Sequence, residues 1–521
     1  MNLCAGIVGL SLVLQVPPPT SATESSRPFQ RDRQAILDRE AQALHALAEK
    51  LVKEGQGKRA DQVKALLPAP APADGSRRFL PLPEIDIPPL DAPPPPATSG
   101  EAQGQGQGDW PKPLTEIRVE AASALFALAN RAANEQPRHF ALADECLRGV
   151  IARDPDHEEA RRLLGFVRHN DGWATPYAVR QFELGNTLHP VYGWVPRDWV
   201  LHLENGELPG PVVGGVPKSW LPAERADALR RKYPNGWRID TEHFHIQTNV
   251  PLSEAIAFGK DLEHLHELFQ AHFADVIGES RLPLAQRYRS KSQVGEREEA
   301  RHEVSYFATR KEFNDYLRPF EGPGITKSLG IYFPAGILPR STRGHAFFFR
   351  DAKGELPVTA TLHHEVSHQL LWESGVAGPD DYRGNDGNFW VFEGLGTYFE
   401  TLFPQPDGSL RIGGLVGARN EEARASLTAE GALVPLDRFL SFDKRAFNHR
   451  VDIYRHYQQA SALTAFLLHG EGGTYREAFL DYVRDAVQGR VRRTSGLGLP
   501  ERLGRTSQEI DDAFLRYLKG A

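Results

Sequence analysis

The segment LPVTATLHHEVSHQLLWE (356–373) sets His364, Glu365 and His368 in the pattern His-Glu-x-x-His. On a helix, residues four apart share one face, one turn above the other. Imidazoles at 364 and 368 can therefore converge on a single ion. Zinc takes imidazole nitrogen at about 2.0–2.1 Å, and an active site keeps three protein ligands with a fourth position open to water. Glu365 follows the first histidine directly. It is turned away from ligation but within reach of a water on the metal. Zinc lowers the pKa of such a water to about 7, and the carboxylate takes its proton. Val358, Leu362, Leu370 and Leu371 give the helix a core side. The plain alternative is a histidine pair on a polar helix surface.

A third ligand has to come from elsewhere. NFWVFEGLGTYFETL (388–402) is a second amphipathic segment, packed through Trp390, Phe392, Leu395 and Phe399, and it carries Glu393. A carboxylate in such apolar company is costly unless it is paired or bound to metal. Gly394 and Gly396 would let this helix approach the first closely. Here the alternative is a solvated helix residue.

HEVSH followed by FEGLGTYFE resembles the gluzincin superfamily of zinc metallopeptidases, which includes thermolysin-like peptidases and zinc aminopeptidases. The resemblance implies Zn2+ held by His364, His368 and Glu393, with Glu365 as general base. Glu400 lies two turns beyond Glu393. In the aminopeptidase branch a glutamate there holds a ligand histidine in its tautomer, a support that metal-bound imidazole requires. Tyr457 opens YQQASALTAFLL (457–468), where that branch carries a tyrosine that stabilises the tetrahedral intermediate. The branch's lysine and glycine are replaced here by Gln459 and Ala460, so Tyr454, His456 and a purely structural Tyr457 stay open.

The sequence departs from the pattern elsewhere too. The segment from His368 to Glu393 is longer than in common aminopeptidases and contains GPDDYRGNDGN (378–388). No Gly-x-Met-x-Asn-like exopeptidase stretch exists, and the single Met is at position 1. Aminopeptidase specificity is therefore not implied. SLGIYFPAG, before the motif helix, reads as an edge strand able to pair with a peptide. From about 237 to 490 the chain most resembles uncharacterised secreted bacterial proteins of a domain-of-unknown-function family with an HExxHQ…EGLxxYFE skeleton.

The elements that must position these residues are legible in outline. The pattern predicts an α+β chain, whose zincin-like catalytic unit has a small mixed sheet and the HExxH helix, then a helical C-terminal half. WRIDTEHFHIQTN (237–249) alternates like a strand, and 252–278 reads as a long helix capped by Ser253. VSYFAT (304–309) reads as a strand, RKEFNDYL as a helix, and 328–338 with 345–350 as a β-pair. The zincin-like subdomain spans 237–380 and the helical subdomain 381–521.

Upstream, residues 23–67 form a helical segment, with Ala35, Leu37, Ala41, Leu44, Leu47, Ala48 and Leu51 at helical spacing. Residues 68–110 are a Pro- and Gly-rich linker. Residues 111–186 hold three amphipathic stretches that resemble a tetratricopeptide-like helical hairpin region, read as a spacer or docking module. Residues 187–236 connect it to the catalytic unit. Residues 1–22 read as a signal peptide: an apolar run, three prolines and a small-residue site, though with no basic n-region. Export to the periplasm or beyond follows, with no further membrane span.

Composition narrows the function. The chain has 521 residues, 40% hydrophobic and 25% charged, with a net charge of −7. Nothing in that balance favours nucleic acid as a partner. Two cysteines, Cys4 and Cys146, exclude a disulfide framework, and Cys146 reads as a buried inert thiol. His302, His345, His363 and His469 have no partner at ligand spacing and read as surface or cleft residues. The leading expectation is a secreted zinc peptidase acting on a peptide or protein. A zinc-containing binding protein, docking a partner through its N-terminal helices, is one alternative. A zinc hydrolase of a non-peptide amide or ester is the other.

Overall fold

A computed structural model describes residues 22–67, 75–86, 111–214, 216–290, 301–339, 342–351, 353–354, 358–374, 387–415, 418–429, 431–491 and 498–520. The leader expected at 1–22, apart from Ala22, and the GPDDYRGN stretch of the long segment before Glu393 lie outside these residues.

A five-stranded mixed sheet forms the centre of the second half. Its strand order is Trp237–Asp240, Phe244–Thr248, His302–Phe307, His345–Phe349, Gly330–Phe333. The first two strands are antiparallel, the middle pairings are parallel, and the last is antiparallel with Phe333 opposite His345. The segment 237–249 is thus a hairpin rather than one strand. Thr241, Glu242 and His243 break the alternation, and the Thr241 amide donates to the Phe244 carbonyl to close the turn.

Period-two alternation decides what each face of the sheet carries. In HAFFF, Ala346 and Phe348 join the main core, beneath the helices Leu252–His272 and Val358–Glu373. Phe347 and Phe349 point the other way, into a cluster with Phe313 and Leu317 of the helix Arg310–Glu321. The motif helix is therefore seated on a rigid sheet by its own apolar side, Leu362, Val366 and Leu370. The helix Leu252–His272 starts after Pro251, with no side-chain cap, so Ser253 lies inside its first turn.

The remaining elements are mainly helical. Phe389–Phe399, Ile453–Gly473, Arg476–Val487 and Ser507–Lys519 pack together around the fully buried Trp390, which meets Phe439, Phe479 and Tyr482. Two short strands, Phe403–Pro404 and Leu410–Ile412, interrupt them.

The N-terminal helices Ala22–Lys53, Gly57–Lys64, Pro111–Asn134, Phe140–Ile151 and Glu158–Leu164 follow the expected periodicity. Leu44, Leu47 and Leu51 bury against Ala60 and Val63. Beyond that small cluster, these helices share the main core. Phe29, Leu125, Leu128 and Leu147 belong to the same continuous core as Phe479 and Phe514.

The Pro-rich stretch also contributes structure. Arg77–Phe79 pairs antiparallel with Leu410–Ile412, and Ile85–Asp86 pairs with Trp173 and Ala174. Residues 187–236 hold short hairpins, such as Asn186–His189 with Gly193–Pro196. Cys146 is buried, and burial pushes its thiol up to about 12. Among the described residues no helix is long and apolar enough to cross a membrane.

Candidate metal centre

Among the described residues, three groups of His, Asp and Glu side chains stand close enough to hold a metal ion. One of them is His364, His368 and Glu393, whose donor atoms all lie within 4.8 Å of one another. The helix Val358–Glu373 supplies both histidines on one face, with ring centroids 4.7 Å apart. The helix Phe389–Phe399 supplies Glu393, and its Oε2 lies 3.3 Å from His364 Nε2.

The helices approach through glycine. A Cβ at Gly396 would stand 2.6 Å from His364 Cε1 and 2.7 Å from Nε2. Gly394 serves a different neighbour. Its missing Cβ makes room for Thr464 and the Ala460 carbonyl of the helix Ile453–Gly473. Only one of the two glycines therefore admits the motif helix.

Gly396→Ala is expected to keep the fold while displacing the His364 ring. Metal affinity should fall on the order of 10–100-fold, as when a ligand's support is lost. Alanine's helix propensity returns about 1 kcal/mol, so metal binding and not melting temperature carries the signal. A competitive chelator titration checks it.

The support for His364 is explicit. Its Nδ1–H donates to Glu400 Oε1 at 2.8 Å, which leaves Nε2 facing Glu393. The other oxygen of Glu400 accepts from Arg419 Nε. The Arg419 guanidinium also lies 5.3 Å from the ring centre of Tyr457. The Tyr457 phenol hydrogen-bonds to Glu393. Tyr454 is 78% exposed, and His456 is buried with Nδ1 donating to the Phe447 carbonyl, so neither reaches the cluster. Among the described residues His368 makes no hydrogen bond, and its ring stands edge-on to that of His364.

Electrostatics separate the two histidines. Burial pulls the His364 imidazolium down, but its hydrogen bonds to the Glu393 and Glu400 carboxylates outweigh it and push the group up to about 10. Burial takes His368 down to about 4, so it is a neutral donor. Glu393 is opposed by burial, yet its bond to His364 holds it down at about 2. Glu365 has no such partner. Burial lifts it to about 7, against the pull of His364 and a hydrogen bond from the Tyr332 backbone N–H. A buried carboxylate poised near neutrality suits proton transfer.

The donor set fits a divalent transition-metal ion: two imidazoles and one carboxylate, with one imidazole oriented by a second carboxylate. His364, His368 and Glu393 would hold the ion, and its presence would replace the proton that His364 carries.

Sequence reasoning missed Arg419, which joins Glu400 to Tyr457 from a separate helix, Ala418–Leu427. It also misread four histidines. His363 is 1% exposed, and its Nε2 meets Asp261 at 3.0 Å. His302 pairs with Glu373, and His345 with Ser305. Tyr398 and His469 form a pair at 2.9 Å. These are packed polar partners rather than surface groups. A histidine at 363 is turned about 100° from 364, which points it into the neighbouring helix.

No curated protein and no solved structure matches the chain. Residues 358–490, the stretch that holds all of these site side chains, match a family model described as Protein of unknown function (DUF1570).

Proposed function

We propose that this chain is a zinc-dependent metallopeptidase of the gluzincin type, exported if the N-terminal segment is a signal peptide. The observation that carries the reading is the convergence of His364, His368 and Glu393, with Glu365 on the same helix and lifted towards neutrality. Zinc bound there supplies Lewis acidity to a scissile carbonyl and to a water.

The chain's own groups do the rest. Glu365 accepts a proton from the attacking water on a carboxylate oxygen. It then delivers that proton to the departing amine nitrogen as the C–N bond breaks. Glu400 keeps His364 in one tautomer, and Arg419 holds Glu400. Burial and Glu393 keep Tyr457 a neutral phenol far above neutral pH, so it remains a donor for the oxyanion. The strand Gly330–Phe333 is a sheet edge beside the motif helix and would pair with an extended peptide. The N-terminal helices, tetratricopeptide-like in pattern, would act as a scaffold fused to this unit.

The test is cleavage of a peptide library by the full chain, stripped by chelator and then reloaded with zinc. Cleavage is expected only after reloading. A zinc-loaded chain that cleaves no peptide, but hydrolyses esters or non-peptide amides, would redirect the reading to that chemistry.

A further inference from the structure

A cavity of about 1800 Å³ lies away from the motif centre: none of its lining residues is His364, Glu365, His368 or Glu393. It opens where the N-terminal region, the 187–236 segment and the sheet hairpin meet. His243, Glu263 and His266 all line it.

These three side chains form another of the close donor groups, with all donor atoms within 4.8 Å of one another. Glu263 and His266 are three apart on the helix Leu252–His272, which places them on one face. His243 comes from the hairpin turn. Glu263 fixes it twice, accepting the His243 backbone N–H and meeting Nδ1 through its other oxygen, both at 2.7 Å. The His266 ring stacks on His243 with centroids 3.8 Å apart.

His266 is the telling residue. It is 8% exposed, and its contacts with the described residues are ring packing against His243, Phe244 and His302, without a hydrogen bond. His266 lines the cavity beside His243 and Glu263, so a ligand in that space can reach the three side chains together. We infer that His243, Glu263 and His266 form a second metal centre, binding a borderline divalent transition-metal cation such as Zn2+ in the wall of the cavity.

Two imidazoles and one carboxylate select that class over Mg2+ or Ca2+, which favour all-oxygen sites. A cation between His243 Nδ1 and Glu263 would take the place of one shared proton. The cavity side leaves room for a ligand from outside the chain.

The experiment removes the motif centre first. The full chain carrying His364→Ala and His368→Ala is stripped with chelator and titrated with Co2+ and Zn2+. Metal is read by absorption spectrum and elemental analysis after gel filtration. One equivalent is expected to remain, with binding weakened at least 100-fold on adding either His266→Ala or His243→Gln. His243 is partly exposed, so its substitution tests binding even if the buried change at 266 disturbs folding. Absence of metal from the double variant overturns the inference. So does retention by the His243→Gln protein or by a folded His266→Ala protein. The result does not depend on whether the wild-type chain cleaves peptides.

Discussion

On the proposed reading, Glu365→Gln should keep the wild-type metal content and lose hydrolysis by about 10²–10⁴-fold, the usual contribution of a positioned general base. The two side chains are nearly isosteric. Glutamine's carbonyl oxygen can still accept the Tyr332 backbone N–H that now reaches Glu365. What glutamine cannot do is take a proton near neutral pH. Zinc content and circular dichroism should therefore match the wild type while kcat falls. Retained hydrolysis in that variant would sink the assignment of Glu365, and loss of zinc would mean the carboxylate is a ligand instead.

Glu393→Ala should have the opposite signature: metal affinity falls by more than about 100-fold, beyond the 10–100-fold cost of losing a ligand's support, and activity falls with it. Elemental analysis after dialysis reads this directly. The same carboxylate sets a pH dependence. In the metal-free chain His364 is raised to about 10 and Glu393 lowered to about 2. The imidazolium's stabilisation is full below the unfolded value near 6.5 and fades as pH rises towards 10. The carboxylate's stabilisation is present above about 4.5 and is lost as pH falls towards 2. This pair therefore stabilises the metal-free chain most between roughly pH 4.5 and 6.5. Metal must displace the His364 proton, so zinc affinity should climb about tenfold per pH unit over the neutral range, with one proton released per ion from this group. A pH-indicator titration reads that proton, and Glu393→Ala should shift the dependence to lower pH.

The motif helix and the grouping of His364, His368 and Glu393 were legible because helical spacing alone brings two histidines together and an apolar frame makes a carboxylate conspicuous. The β-pair 330–333 with 345–349 was legible from alternation. Arg419 was not. Nothing local marks an arginine that reaches Glu400 from another helix. The histidines at 302, 345, 363 and 469 were illegible for a related reason: each meets one distant partner, and burial depends on which neighbour covers that face. The hairpin at 237–248 was read as one strand because apolar and polar residues alternate on both sides of the turn, and the phase shift at Thr241, Glu242 and His243 is only three polar residues long. In the Pro-rich stretch, composition hid strands only two or three residues long, which owe their order to partners far along the chain.

One of those short strands has a consequence for how the chain is made. Arg77–Phe79 finds its partner only at Leu410–Ile412, and Arg411 Nε also reaches back to the Ser76 hydroxyl across 335 positions. During synthesis at about 5–20 residues per second, the early strand waits tens of seconds for the partner that pairs its edge. Closing so long a loop late in assembly gives the topology a high contact order and slow final docking. It also makes the upstream region a built-in checkpoint: a nascent chain that stalls before residue 410 leaves an open β-edge for chaperones, or for other chains, to find.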